Sequence, residues 1–229
     1  MSTVKTTPAQ NSTKGFQMLQ VMGGLGAVCA LLIVLTYEGT ADRIAQLKDE
    51  ALQQAVFSVL PNTKSTQAFY IDPDQKTISN GPSGNNIGIF AGYDKDKALT
   101  GIAIEASGRG YADIIRILYG YDPVNEKIIG FYVLESKETP GLGDKIEKDE
   151  SFLQNFTKLD VSLKENSTSL KHPVVTVKHG EKANDWEIDG ITGATISSRA
   201  IGEMINKSAN TWLSVIKSNL STLQNPSTP

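Results

Sequence analysis

The chain has 229 residues, 39% of them hydrophobic and 21% charged, with a formal net charge of -3. That length admits one ordinary domain plus an anchor and leaves little room for two full domains. The balance gives no sign of a nucleic-acid partner, and the single cysteine, Cys29, excludes an internal disulfide framework.

No charged residue lies between Lys14 and Glu38, and the stretch is densest in apolar side chains from Val21 to Thr36. A helix over 15–37 would reach about 34 Å, enough to cross a hydrocarbon core of about 30 Å. A cleaved signal peptide is the alternative, because Gly39 and Ala41 form a weak small-x-small site. The apolar run is longer than the usual h-region, which favours a retained anchor. A lipoprotein site at Cys29 fits less well, since Val28 is bulky and the run continues past the cysteine. Lys5 and Lys14 precede the span, whereas every acidic residue follows it, so 1–14 is expected to be a cytoplasmic tail. The rest is expected outside the cytoplasm.

Over 38–61, Ile44, Leu47, Ala51, Leu52, Ala55, Val56, Val59 and Leu60 recur at helical spacing until Pro61 stops them, predicting a juxtamembrane helix. A polar Gly/Ser/Asn stretch from Ser79 to Asn86 reads as a loop. Strand patterns follow at Ile87–Tyr93, Leu99–Ala106, Ile114–Tyr121, Lys127–Leu134 and Val174–Lys178, mostly joined by connections too short for a crossover helix, so adjacent pairs should be antiparallel. Asp149–Leu159 suits a short helix. From Ser197 to Leu220, Ala200, Met204, Ser208, Trp212 and Ile216 recur every four residues beside Ile201 and Ile205, a stripe that should dock on the sheet. The expected fold is α+β: a single N-terminal transmembrane helix, a mainly antiparallel sheet over 62–220 with flanking helices, a C-terminal helix among them, and a flexible tail over 221–229.

His172 and His179 have no acidic or cysteine neighbours at ligand spacing, so no metal site is expected. Asn11, Asn155, Asn166, Asn206 and Asn219 begin Asn-x-Ser/Thr triplets, read as coincidence. The segment Asp189-Gly-Ile-Thr192-Gly193-Ala194-Thr195-Ile-Ser-Ser198 leads from a strand-like stretch into the last helix. A helix start offers unpaired N–H groups and the positive end of the backbone dipole, a natural place for phosphate, and Thr195 puts a hydroxyl there. Local propensity by itself favours a simpler reading in which Thr195, Ser197 or Ser198 caps the helix.

The pattern Asp189-x-x-Thr192-Gly193-Ala194-Thr195 resembles the flavinylation motif of the FMN-binding domains of Rnf-type electron transport complexes and sodium-pumping NADH:quinone reductases. A second stretch, Glu138-Thr139-Pro140-Gly141-Leu142-Gly143, resembles the loop that lies by the flavin in that family, and the single span and length are similar to its Rnf branch, the G subunits. The resemblance implies covalent FMN on Thr195, installed by a flavin transferase, with Asp189, Thr192, Gly193, Ala194, Glu138, Thr139, Pro140, Gly141 and Leu142 around it. It further implies an electron carrier, not catalytic alone, working with the other Rnf subunits between ferredoxin and NAD and coupled to sodium or proton transport. Lys137 and Lys145 are candidate phosphate contacts. Gly141-x-Gly143 also opens like a dinucleotide fingerprint, but Ile146 stands at the third glycine position. The competing functional reading is a tethered binding or assembly module with no redox role.

Overall fold

The structure is a computed structural model that describes residues 12–81, 87–165 and 168–224. It divides into two compact units, residues 1–50 and 51–229. One helix, α1, runs from Ser12 to Val59. In its first unit the apolar side chains from Phe16 to Tyr37 are exposed, and by length and composition the helix could span a membrane. An apolar surface on which, among the described residues, no protein packs is suited to lipid. Of the expected 1–14 tail and 221–229 tail, residues 1–11 and 225–229 lie outside the described residues, as do the triplets at Asn11 and Asn166 and most of the 79–86 loop.

In the second unit, seven strands form one antiparallel sheet: β1 (Ser65–Asp72), β2 (Thr77–Ser79), β3 (Ile87–Tyr93), β4 (Leu99–Arg109), β5 (Ile114–Asp122), β6 (Lys127–Glu135) and β7 (Leu159–Asp160). Their order is β2-β1-β3-β4-β5-β6-β7. The tight connections follow from aspartate chemistry. Asp72 Oδ1 accepts the amides of Asp74 and Gln75, and Asp122 Oδ1 those of Val124 and Asn125. Each side chain thus satisfies the turn's own donors and returns the chain antiparallel. β1 and β2 lack a clear sequence signal because only Phe69, Ile71 and Ile78 in them are deeply buried.

The five strand expectations are met to within a few residues, but one pairing differs from the antiparallel rule. β8 (Val175–Val177) and β9 (Glu187–Asp189) form a separate two-stranded parallel pair. A loop brings the chain back so that β9 points into the Ile191–Ala194 turn at the head of the last helix. The segment expected as a helix at 149–159 is α2 (Glu150–Gln154) followed by a 3-10 turn, Asn155–Thr157. Asp149 caps it by accepting the Ser151 and Phe152 amides.

The long C-terminal helix, α3 (Thr195–Ser218), starts two residues before the expected boundary and is followed by a short α4 (Leu220–Gln224). Its stripe buries Ile201, Ile205, Leu213 and Ile216 against Ile104, Ile117 and Tyr119 of the sheet. The polar member of the stripe has a partner: the hydroxyls of Ser208 and Tyr119 lie 2.8 Å apart. At the far edge Phe131 stacks on Phe156, centroids 4.2 Å apart, and Phe152 packs edge-on to both.

The other sheet face receives the end of α1. Ala55, Val56, Val59 and Leu60 pack on Ala103 and Leu118. Cross-strand pairs Gly92/Gly101 and Gly120/Gly130 form a notch there. A Cβ at Gly120 or Gly130 would strike the Val59 carbonyl, so the helix end sits directly on strand backbone. Gly130→Ala is therefore expected to cost about 1–3 kcal/mol by overpacking and to lower the melting temperature of the detergent-solubilised chain. Gly88→Ala, whose added carbon would meet only the Tyr70 ring at 3.9 Å, should leave it within a degree or so; equal losses in both would refute the notch.

Candidate functional site

Two turns built alike face each other beside the start of α3. In Thr139-Pro140-Gly141-Leu142 the Leu142 amide donates to the Thr139 carbonyl at 3.1 Å, and Gly141 has φ +78°. In Ile191-Thr192-Gly193-Ala194 the Ala194 amide donates to the Ile191 carbonyl at 3.0 Å, and Gly193 has φ +87°. Glycine with positive φ at the third position, with proline at the second of the first turn, fits a type II geometry. The turns approach closely: a Cβ on Gly193 would lie 3.9 Å from Leu142 Cδ2.

Between them is a cavity of about 360 Å³ lined by Tyr111, Glu138, Thr139, Leu142, Gly143 and residues 193–197. Its size falls within the ordinary range for small-molecule sites. Tyr111, Leu142 and Ile196 are each more than half exposed, at 65, 51 and 53%. Three apolar side chains held open around one concavity favour a ligand with a flat apolar part.

The cavity's polar end is the first turn of α3. Ala194 occupies the N-cap position and offers no side-chain acceptor, so the first amides of the helix lack the usual partner. The nearby hydroxyls differ in their commitments. Ser198 Oγ donates to the Ala194 carbonyl at 2.9 Å and accepts the Ile191 amide at 3.2 Å. Ser197 Oγ donates to Glu138 Oε2. Thr195 is exposed on the cavity wall, and among the described residues its hydroxyl has no hydrogen-bond partner. The capping reading thus holds for neither Thr195 nor Ser197, and Ser198 closes the turn from within the helix. An open helix start plus a free hydroxyl is chemically suited to a phosphate and to its ester.

Glu138 is buried at 6% exposure and ties three segments together. Its Oε1 accepts the Ala112 amide at 2.9 Å, and its Oε2 accepts from Ser197. Gly110 and Gly143 make room for it, since a Cβ at either would come within 2.5 Å of a carboxylate oxygen.

The remaining expected residues stand behind the wall. Asp189 lies in β9, where its Oδ1 accepts the Gly180 amide at 2.7 Å and its Oδ2 is 3.4 Å from His179 Nδ1. Its backbone is held by buried Asn155, which accepts the Asp189 amide at 3.0 Å. That commitment leaves the Asn155 side chain inaccessible to glycosylation. Thr192, Pro140 and Gly141 shape the turns without lining the cavity. Neither Lys137 nor Lys145 lines it either. Lys137 pairs with Asp113 at 3.2 Å, and that contact, after the Ile114 amide, holds the Asp113 carboxyl below its ordinary range. The dinucleotide reading fails on topology, because Gly141 follows a strand whose neighbours are antiparallel and precedes only a 3-10 turn, Gly143–Glu147.

Sequence reasoning missed Tyr111, Ile196 and the pairing role of Ser197. Tyr111 sits in the β4–β5 loop, 27 residues before Glu138, and only folding brings it to the cavity. Ile196 falls one residue before the expected start of the helix, outside the stripe.

The chain matches the FMN-binding domain family over residues 110–210, a span that contains both turns. It is 30% identical over 183 residues to the G subunit of the ion-translocating oxidoreductase complex of Vibrio parahaemolyticus, covering 78% of this chain and 80% of that one. The G subunit from Haemophilus influenzae is 29% identical over 91% of each chain, and that from Methanosarcina acetivorans 28% identical over 85% of this chain and 92% of its own. Among solved structures, the C subunit of the Na(+)-translocating NADH-quinone reductase from Parabacteroides distasonis has the same fold, with a TM-score of 0.60 at 20% identity over 77% of this chain and 98% of that one. NqrC of Shewanella oneidensis gives 0.57 at 18%, over 79 and 97%.

The site's geometry ranks its glycines. Gly141→Ala should cost about 1 kcal/mol, the strain of positive φ in open space. Gly143→Ala carries no such backbone strain but would put its Cβ 2.5 Å from Glu138 Oε2 and 2.8 Å from Glu138 Cβ; it should lower the melting temperature further, and the reverse order in thermal unfolding would contradict the packing described.

Proposed function

This chain belongs to the family of G subunits of ion-translocating oxidoreductase complexes, and we propose that it is the flavin-bearing electron carrier of such a complex, with FMN joined through its phosphate to Thr195. The observation that carries the reading is the free hydroxyl of Thr195 at the open N-terminus of α3, on the wall of a cavity that also gathers Glu138, Thr139 and Leu142. Bound FMN supplies the redox chemistry, accepting and releasing electrons through its ring.

The protein's part is to hold and orient. The first amides of α3 and the positive end of its dipole stabilise the phosphate, which suits a site whose wall, among the described residues, contains no lysine or arginine. Tyr111, Leu142 and Ile196 offer apolar surface to the ring and keep water from it. Ala194, with no side-chain acceptor at the cap, leaves those amides to the ligand. A covalent link keeps the cofactor in place where free FMN is scarce, while the open mouth leaves the ring available to donors and acceptors.

In this reading residues 15–37 anchor the chain in the inner membrane, the N-terminus is cytoplasmic and the second unit faces outward, as the two lysines before the span favour. The chain works beside the other subunits of a complex that passes electrons between ferredoxin and NAD and drives sodium or proton transport. A dedicated flavin transferase installs the FMN.

Intact-mass measurement of protein matured together with that transferase tests the proposal. The expected mass is that of the polypeptide plus one FMN less one water, with a fluorescent band surviving denaturing electrophoresis. Thr195→Ala should abolish both completely, and Thr195→Ser should keep them in part, since Ser197 and Ser198 are committed elsewhere. Bare polypeptide mass in the matured wild type, or an unchanged adduct in Thr195→Ala, would refute it.

A further inference from the structure

We propose that Glu138 is a positioning residue that holds the flavin ring still by locking the cavity, acting through Ser197 and Ala112. This rests on the reading of the site as an FMN site. Both of its oxygens are already occupied by protein donors, the Ala112 amide on Oε1 and the Ser197 hydroxyl on Oε2. The three groups come from three separate segments: the β4–β5 loop that carries Tyr111, the turn that carries Leu142, and the first turn of α3 that carries Ile196. Those are the three apolar side chains that stand open around the cavity. Each segment has internal bonds of its own, and the exposed Lys137–Asp113 pair joins the first two at the surface, but Glu138 is the buried side chain that reaches all three. One buried side chain with two hydrogen bonds therefore sets the spacing of the whole apolar rim.

Two further features point the same way. Gly110 and Gly143 flank the carboxylate so closely that neither tolerates a Cβ without moving it, which leaves the side chain a single place to lie. Tyr111 is adjacent to the Ala112 amide in the chain, so loss of that hydrogen bond frees the ring's neighbour directly. The covalent bond on Thr195 fixes only the phosphate end, and a chain of rotatable bonds separates phosphate from ring. Restraint of the ring must come from the rim.

The test uses full-length protein matured with the flavin transferase and carrying Glu138→Ala, Glu138→Gln or Ser197→Ala. Intact mass reports attachment, and flavin fluorescence anisotropy with visible circular dichroism reports ring restraint. Attachment is expected in all three, because the motif around Thr195 is intact. In Glu138→Ala the anisotropy should fall towards that of free FMN and the visible dichroism should collapse. In Ser197→Ala, which cuts only the link to α3, both should fall part of the way. Glu138→Gln should restore wild-type values, since its amide oxygen can accept from Ala112 and its NH2 can donate to the Ser197 oxygen. Should Glu138→Ala fail to fold, the Ser197→Ala and Glu138→Gln pair decides the question with the same readouts. Wild-type anisotropy in both alanine variants, or a Gln variant as loose as Ser197→Ala, would overturn the proposal. A wild-type protein with no flavin would instead overturn the reading of the site, so the two failures are distinct.

Discussion

A helix that begins without a side-chain cap has donors to spare, and here that shortage of acceptors is placed at the wall of a cavity. Ala194 stands where Ser, Thr, Asp or Asn would ordinarily satisfy the first amides of α3. Leaving them unsatisfied costs stability, about 1 kcal/mol by comparison with capped helices. The arrangement makes sense if an anion completes it. Two turns of the same type approach that opening from either side, and the hydroxyls of Ser197 and Ser198, in the same turn of the helix as Thr195, are tied into internal hydrogen bonds.

The scaffold that presents this helix start is unusually dependent on close backbone approach. On one face of the sheet, α3 is held by an aliphatic stripe and by the Tyr119–Ser208 hydroxyl pair. On the other, the glycine notch lets the last residues of α1 rest on strand backbone. The tyrosines of the core are deeply enclosed, and burial alone pushes the Tyr93 hydroxyl up to about 12. That hydroxyl donates to the Leu223 carbonyl at 2.7 Å and so fixes α4. A sheet clamped on both faces gives the loops at its end a rigid base, which is what a site made from loops requires.

Asp189 shapes the cavity from behind its wall. It sits in the parallel strand pair, braced by Asn155 and by the Gly180 amide, and its place in β9 sets where the following turn delivers Thr195. Glu138 plays a comparable part from the other side. The difference is that Asp189 orders the approach to the helix, whereas Glu138 joins the finished helix to its neighbours.

The elements whose signals are local were legible in the amino-acid order alone. The charge-free run, the helical stripe of α3, four of the seven strands of the main sheet and the small-residue approach to Thr195 all follow from periodicity, side-chain chemistry and chain stiffness over short distances. The two motifs also pointed to the FMN-binding domain family that residues 110–210 match. What depends on residues far apart in the chain emerged only on folding. The pairing of Glu138 with Ser197, the arrival of Tyr111 at the same cavity, the exposure of Ile196 there, and the parallel return of β9 are long-range events. No local pattern encodes them, because each is fixed by which surfaces remain to be buried once the sheet and its covering helix have packed.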